Sequence, residues 1–269
     1  MIIGFTVKDE KNEKIRAEKQ VIKTVPPKKS LVKVRFLNCG CEYTYYNDKF
    51  DLEVGDIVFV DGKLEGKRGR VTEISYGFKV KLSDFKRVIA KADTDIKGEF
   101  ASSSMYFLSF DKNSLPFEKV ISWFIPPVKD EDEFVDSVDD KSFLLDDLGG
   151  MGASVDVFER GKDYAYDGAV KYLSLDGTSG KAIVEGSKAY TVEFEYKNGE
   201  ISKLVCDCYC VGACKHEVAT LLILRCFLKD IEENFKQEFE KSGYFSAVNK
   251  DEFLQLVLNG NYKRRFSIL

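Results

Sequence analysis

Residues 206–216 read CDCYCVGACKH, and this stretch holds four of the seven cysteines and the single histidine of a 269-residue chain. Zinc in proteins takes four ligands in a tetrahedron and favours thiolate and imidazole. Alternate residues of a strand project to the same side, so two cysteines spaced by one residue can face one ion. Gly212 lets the chain reverse and bring a second pair to the same point. The stretch predicts one structural zinc ion bound by Cys206, Cys208, Cys214 and His216.

Cys210 lies inside this cluster and is the alternative ligand. If Cys208 and Cys210 formed the first pair, only three residues would remain before Cys214, which is a tighter loop. We therefore expect Cys206 and Cys208 to bind the metal and Cys210 to be a bystander or a replacement. Cys226, farther along the chain, is expected to pack in a helix rather than to bind metal.

The same residues argue against catalysis. A zinc ion with four protein ligands leaves no position for water or substrate. The chain lacks the glycine-rich phosphate-binding motifs, and its single histidine is already assigned to zinc. Asp176 and Glu195 offer one alternative, a nuclease whose carboxylates hold Mg²⁺. We interpret them instead as the exposed charged residues of strands that alternate polar and apolar side chains. The sequence predicts that the protein is not an enzyme.

The residues on either side of the cluster predict an antiparallel meander that leads into a helix. Four segments alternate or are rich in β-branched residues, at 167–177, 180–187, 189–199 and 200–208. The Asn198-Gly199 pair is typical of a tight hairpin, because both residues tolerate positive φ. Apolar residues recur at three- and four-residue steps over 215–241, which predicts an amphipathic helix that stops at Gly243. A last helix is predicted over 250–258.

The ligand pattern resembles a known family. Cys206-x-Cys208 followed by Cys214-x-His216 resembles the SWIM zinc finger, whose ligands are Cys-x-Cys and then Cys-x-His. The likeness extends over about 156–228, where 158–164 and 184–192 resemble the lead-in strands of bacterial members. The resemblance implies a module that binds DNA or protein, often beside helicase or transposase modules.

The front of the chain predicts a small β-barrel. Five short segments alternate or are rich in β-branched and aromatic residues, at 31–37, 41–46, 56–60, 69–74 and 78–82. Five strands in so short a span favour a barrel, which closes its own edges. Residues 55–60 and 66–71 resemble the SH3-like barrels with KOW-type motifs, which contact nucleic acid or ribosomal partners.

Basic side chains in and beyond the predicted barrel turn are candidate phosphate contacts, namely Lys63, Lys67, Arg68 and Arg70. Tyr76 or Phe78 could stack on bases. Lys215, inside the cysteine cluster, is either a counter-charge for a zinc centre with three thiolates or a further phosphate contact. These residues favour contact with nucleic acid.

A second Cys-x-Cys lies in the front region, at Cys39 and Cys41, and no Cys-x-His follows it. Buried free cysteines are common in protein interiors. We therefore interpret this pair as free cysteines that pack in the core.

Charge divides the chain into three segments. Residues 1–91 carry 20 Lys and Arg against 13 Asp and Glu, whereas residues 92–150 carry 5 against 14. We expect a basic β-barrel domain over 1–91, an acidic connecting segment over 92–151 with glycines at its end, and a SWIM-like domain over 152–269. The predicted class is α+β.

Together these features predict a zinc-binding, non-catalytic module that contacts DNA or RNA. The alternative is a protein–protein adaptor for a helicase-like partner, which the acidic residues over 129–147 favour. The sequence shows no apolar run of about 20 residues, so no membrane is expected. The charged opening residues lack the apolar region of a signal peptide, and clustered cysteines suit a reducing compartment, so we expect a cytoplasmic protein.

Overall fold

A computed structural model describes residues 26–36, 39–127, 137, 141–258 and 265–268. The acidic run at 129–133, most of 129–147 and the first 25 residues lie outside the described residues. The described chain is α+β, with two sheets in which most neighbouring strands are antiparallel. None of its helices combines the length and apolar character that crossing a membrane requires.

The front sheet has five strands. They are β1 (Ser30–Phe36), β2 (Glu42–Asn47), β3 (Ile57–Val60), β4 (Arg68–Ser75) and β5 (Val88–Lys91), in the order β2-β1-β4-β3-β5. The sheet is not closed into the predicted barrel. Between its two edges, the described residues form an isolated bridge from Tyr46 to Arg87 and an ion pair of Arg87 with Asp48, not a continuous ladder. The strand predicted at 78–82 was also wrong. That segment buries no side chain, whereas Val88 and Ala90 enter the core and form the fifth strand.

The rear sheet has nine strands, in the order β14-β6-β7-β13-β9-β10-β11-β12-β8. Its members are β6 (Lys97–Ser103), β7 (Tyr106–Ser109), β8 (Ser142–Leu144), β9 (Val170–Asp176), β10 (Ser179–Glu185), β11 (Ala189–Lys197), β12 (Glu200–Cys206), β13 (Tyr244–Asn249) and β14 (Arg265–Ile268). The meander from β9 to β12 is confirmed, and Asn198 and Gly199 both have positive φ at its last turn. The predicted connecting segment, 92–151, supplies three of these strands.

The described residues also form five α-helices. They are α1 (Phe117–Val120), α2 (Val155–Tyr166), α3 (Lys215–Asn234), α4 (Lys236–Ser242) and α5 (Lys250–Phe253), with a π-helical turn over Leu254–Leu258. Residues 158–164, expected in a lead-in strand, lie in α2 instead. The Ser154 hydroxyl accepts a hydrogen bond from the backbone N–H of Val157 and begins this helix. The long helix predicted to Gly243 breaks at Phe235, where φ is −135°.

A buried ion network joins the two sheets. The Arg68 guanidinium on β4 donates to Glu252 at 2.8 Å, and both side chains are only 9% exposed. Glu185 lies 3.4 Å from Arg68 and from Lys171, so the four charges compensate one another. Breaking a buried pair of this kind typically costs about 3–5 kcal/mol. The network therefore fixes the front sheet against α5 and the end of β10.

Candidate metal centre

The cluster lies where the meander ends and α3 begins. Cys206 is the last residue of β12, and Cys214 directly precedes α3. The Cys214 sulfur accepts a hydrogen bond from the backbone N–H of Glu217, and the Glu217 carboxylate accepts one from the N–H of Cys214. This reciprocal cap fixes the first turn of α3. A strand end and a helix start therefore present their side chains to one point.

The four predicted ligands are close enough to hold one metal ion. One ligand atom from each of Cys206, Cys208, Cys214 and His216 lies within 4.8 Å of all the others. His216 Nδ1 is 3.7 Å from the sulfur of Cys206 and 3.7 Å from that of Cys214. Zinc with sulfur at about 2.3 Å and nitrogen at about 2.0 Å in a tetrahedron separates such atoms by about 3.5 Å. The four residues could therefore hold a single metal ion, and the two measured distances are close to those of a tetrahedral zinc site.

His216 is oriented by aromatic rings on two sides. The ring of Tyr190 stacks on the imidazole with centroids 4.4 Å apart, and Tyr164 meets it edge-on at 5.6 Å. Among the described residues, His216 Nε2 is buried and has no hydrogen-bond partner, whereas Nδ1 faces the sulfurs. Nδ1 is therefore the imidazole atom placed to bind a metal ion. Gly186 packs so closely here that an added Cβ would lie 3.3 Å from Nε2.

The thiols hold their protons unequally when no metal is bound. A hydrogen bond from the Cys206 thiol lowers the pKa of Cys214 to about 4, although burial opposes this effect. The same hydrogen bond and burial raise the pKa of Cys206. Burial raises the pKa of Cys208 to about 11. A metal ion would therefore meet one thiolate and displace protons from the other two cysteines.

The remaining cysteines are separate from this centre. Cys210 is exposed in the loop and does not belong to the ligand group, and Cys226 is exposed on α3. Cys39 and Cys41 form a disulfide in the turn between β1 and β2. The expectation of buried free cysteines there was wrong, because Cys39 is exposed at the end of a hairpin rather than packed in its core.

The predicted phosphate contacts fall into two groups. Lys63 and Lys67 are exposed in the loop before β4. Arg68 is engaged in the buried network, and the Arg70 guanidinium donates to the backbone carbonyls of Gly55 and Gln255. Both arginines therefore have partners inside the protein.

Two lysines and three tyrosines form a surface around the centre, and of these only Lys215 was predicted as a contact. The ammonium of Lys215 lies 4.3 Å from the centre of the Tyr164 ring. The ammonium of Lys188 lies 5.2 Å from the ring centre of Tyr190 and 5.5 Å from that of Tyr209. Tyr209, between two cysteines of the cluster, is 91% exposed. The sequence could have indicated this surface, because an aromatic residue between clustered cysteines has no core to pack into.

The turn that carries Lys188 also approaches the front sheet. Gly66, Lys67 and Arg68 share a small cavity of about 80 Å³ with residues 185–189. The basic loop of the front sheet and the metal loop of the rear sheet are thus connected through one hairpin turn.

Asp176 and Glu195 do not form a metal site in the structure. Both lie opposite Ser179, on the two strands that flank β10. Each is paired with a lysine, Asp176 with Lys112 and Glu195 with Lys203. Among the described residues, the group of metal-ligating side chains contains neither of them.

Comparison with protein-family models gives no match, and searches among curated proteins and among solved structures give none either.

Proposed function

We propose that the chain is a zinc-binding, non-catalytic module of the SWIM type that contacts nucleic acid. The observation that carries the proposal is the convergence of three cysteine sulfurs and one imidazole nitrogen within 4.8 Å. Soft thiolates with imidazole in a tetrahedral arrangement select zinc over magnesium or calcium. Because the protein fills all four positions, the ion has a structural role.

The zinc would tie the end of β12 to the start of α3. The segment between them, residues 207–213, has no regular secondary structure, and it exposes Tyr209 and Val211. An ion held by Cys206 and Cys208 on one side and Cys214 and His216 on the other would restrain this loop. Binding energy of this kind contributes directly to folding.

Nucleic-acid contact is supported by the alternation of ammonium groups and aromatic rings beside the centre. Lys188 lies between the rings of Tyr190 and Tyr209, and Lys215 lies over Tyr164. Aromatic rings beside positive charge suit bases and phosphates. The whole chain has a net charge of −4, so the contact would be local rather than spread over the surface.

The experiment is a titration of single- and double-stranded oligonucleotides with zinc-loaded protein at several salt concentrations. Affinity should fall as salt rises, because phosphate contacts release counterions. Lys188→Ala should reduce the slope of log affinity against log salt by about one unit. Lys229→Ala is the matched control, since Lys229 is an exposed lysine on α3 that pairs with Glu233. Absence of salt-sensitive binding by the wild-type protein would rule out this function.

A second candidate is a protein–protein adaptor for a helicase-like partner. It is favoured by the exposed apolar tip of the metal loop, where Val211 is fully exposed beside Tyr209. Under this candidate, Val211→Asp would abolish capture of a partner, and nuclease treatment would leave that capture unchanged. Capture lost on nuclease treatment would contradict the adaptor.

A further inference from the structure

The disulfide between Cys39 and Cys41 is the chemical group that the proposed function does not use. It lies in the turn from β1 to β2, with Cys39 exposed and Cys41 half-buried. Gly40 between them has a φ of +66°. Apart from its two chain neighbours, no described residue has an atom within 4 Å of the place where a side chain would begin. The pair is therefore open to reagents in solution.

The turn does not depend on this disulfide for its shape. The backbone N–H of Phe36 donates to the Cys41 carbonyl at 2.9 Å, and the N–H of Gly40 donates to the Phe36 carbonyl at 2.8 Å. The ladder between β1 and β2 continues from Arg35 and Glu42 to Ser30 and Asn47. A disulfide stabilises a fold mainly by closing a long loop of the unfolded chain. One that joins residues two apart contributes little in this way.

We propose that Cys39 and Cys41 form a thiol–disulfide exchange site whose reaction partner is a low-molecular-weight thiol of the glutathione class. Exposed disulfides are the labile ones in proteins, whereas structural disulfides resist reduction. The Cys39–Cys41 disulfide is exposed at Cys39 and is not needed to hold its turn, which places it with the labile disulfides.

The reaction balances as a two-electron exchange. A thiolate attacks the exposed Cys39 sulfur, the Cys39–Cys41 bond breaks, and Cys41 leaves as a thiolate that takes up a proton. A second thiolate then attacks the external sulfur of the mixed disulfide and releases Cys39, which also takes up a proton. The protein gains two hydrogens, and two molecules of the external thiol become one external disulfide. Oxidation of the protein is the reverse sequence.

The Cys39–Cys41 pair lies at the end of the front sheet that also carries the basic loop with Lys63 and Lys67. Phe36 at the end of β1 lies opposite Gly69 near the start of β4. The Cys39–Cys41 turn is therefore at the same end of the front sheet as the loop that carries Lys63 and Lys67. The exchange site is far along the sequence from the metal centre, and it shares no cysteine with it.

The test uses full-length, zinc-loaded protein equilibrated in buffers of different reduced-to-oxidised glutathione ratio, then alkylated and analysed by peptide mass spectrometry. We expect the peptide with Cys39 and Cys41 to convert reversibly between disulfide and dithiol within the range of ratios. Cys41→Ser should instead accumulate one glutathione on Cys39. Cys210→Ser is the control, and it should leave the conversion unchanged.

Two results would overturn the proposal: a pair that remains in one state at every ratio, or a reversible change confined to the cysteines of residues 206–214. Far-ultraviolet circular dichroism of each variant establishes that it is folded. Because the readout is a thiol state, it is independent of whether the protein binds nucleic acid.

Discussion

The two Cys-x-Cys segments of this chain have the same spacing but differ in their bonding. One pair forms a disulfide, and the other belongs to a group of possible metal ligands. Cys206 ends β12 and Cys208 follows it, and both lie near Cys214 and His216 at the start of α3. Cys39 and Cys41 lie in a hairpin turn and bond to each other. Among the described residues, the group of metal ligands includes only the first pair. The spacing of two cysteines therefore does not define a metal site. The site needs a second pair of ligands on an element that the fold brings opposite the first.

The largest expected effect concerns bound metal. Cys208→Ser should reduce the zinc content from one ion per chain to none, because a tetrahedral structural site needs all of its thiolates. Cys41→Ser should leave one ion per chain. Metal analysis of protein purified without chelator measures both. If Cys41→Ser lost its zinc and Cys208→Ser kept it, the assignment of Cys208 rather than Cys41 as a ligand would be contradicted.

The pH dependence of zinc affinity is expected to be steep. Without metal, the pKa of Cys208 is raised to about 11 and that of Cys206 is raised as well, so both thiols are protonated near pH 7. Zinc must displace two protons, and its affinity should rise about 100-fold per pH unit around neutrality and fall equally on acidification. Competition with a chromophoric chelator at several pH values measures this slope. A slope of zero would contradict the assignment of these two thiols as ligands.

Removal of zinc should destabilise the rear region more than the front. At a free zinc concentration 100-fold above Kd, the bound ion stabilises the folded state by about 2.7 kcal/mol. Chelation should therefore increase amide hydrogen exchange at the start of α3, and exchange in β1 and β4 should change little. Equal loss of protection in both sheets would show that the centre supports the whole molecule rather than one end of it.

Two glycine substitutions compare the packing around the two Cys-x-Cys segments. Gly161 packs against α3, which carries His216, and Gly40 lies between Cys39 and Cys41. An alanine Cβ at Gly161 on α2 would lie 2.4 Å from a Val218 methyl carbon on α3. Gly161→Ala should therefore destabilise the protein by about 1–3 kcal/mol through overpacking. An alanine Cβ at Gly40 meets no atom of the described residues apart from the two chain neighbours, and its positive φ should cost only about 1–2 kcal/mol. Urea unfolding of both variants gives the comparison, and a larger loss for Gly40→Ala would contradict it.

The sequence predicted which four side chains come together, because these residues are local. All four lie within eleven residues, and only one strand end and one helix start must be placed to bring them together. The meander was predictable for the same reason, since Asn198-Gly199 specifies a tight turn between neighbouring strands.

The features that sequence reasoning missed depend on distant parts of the chain. Strand β13 pairs with β7 and β9, which precede it by many residues, so no local pattern indicates a nine-stranded sheet. The strand expected at 78–82 alternates in sequence, but the fold leaves it exposed. Arg68 looked like a phosphate contact, yet its partner Glu252 is 184 residues away. Periodicity cannot reveal partners at that separation.

The most direct test of the central claim is X-ray absorption at the zinc edge of the wild-type protein. The four-residue centre predicts three sulfur ligands at about 2.3 Å and one nitrogen at about 2.0 Å. Four sulfur ligands would place Cys210 in the first coordination shell instead of His216. A shell of oxygen ligands, or no zinc at all in folded protein, would contradict the metal centre.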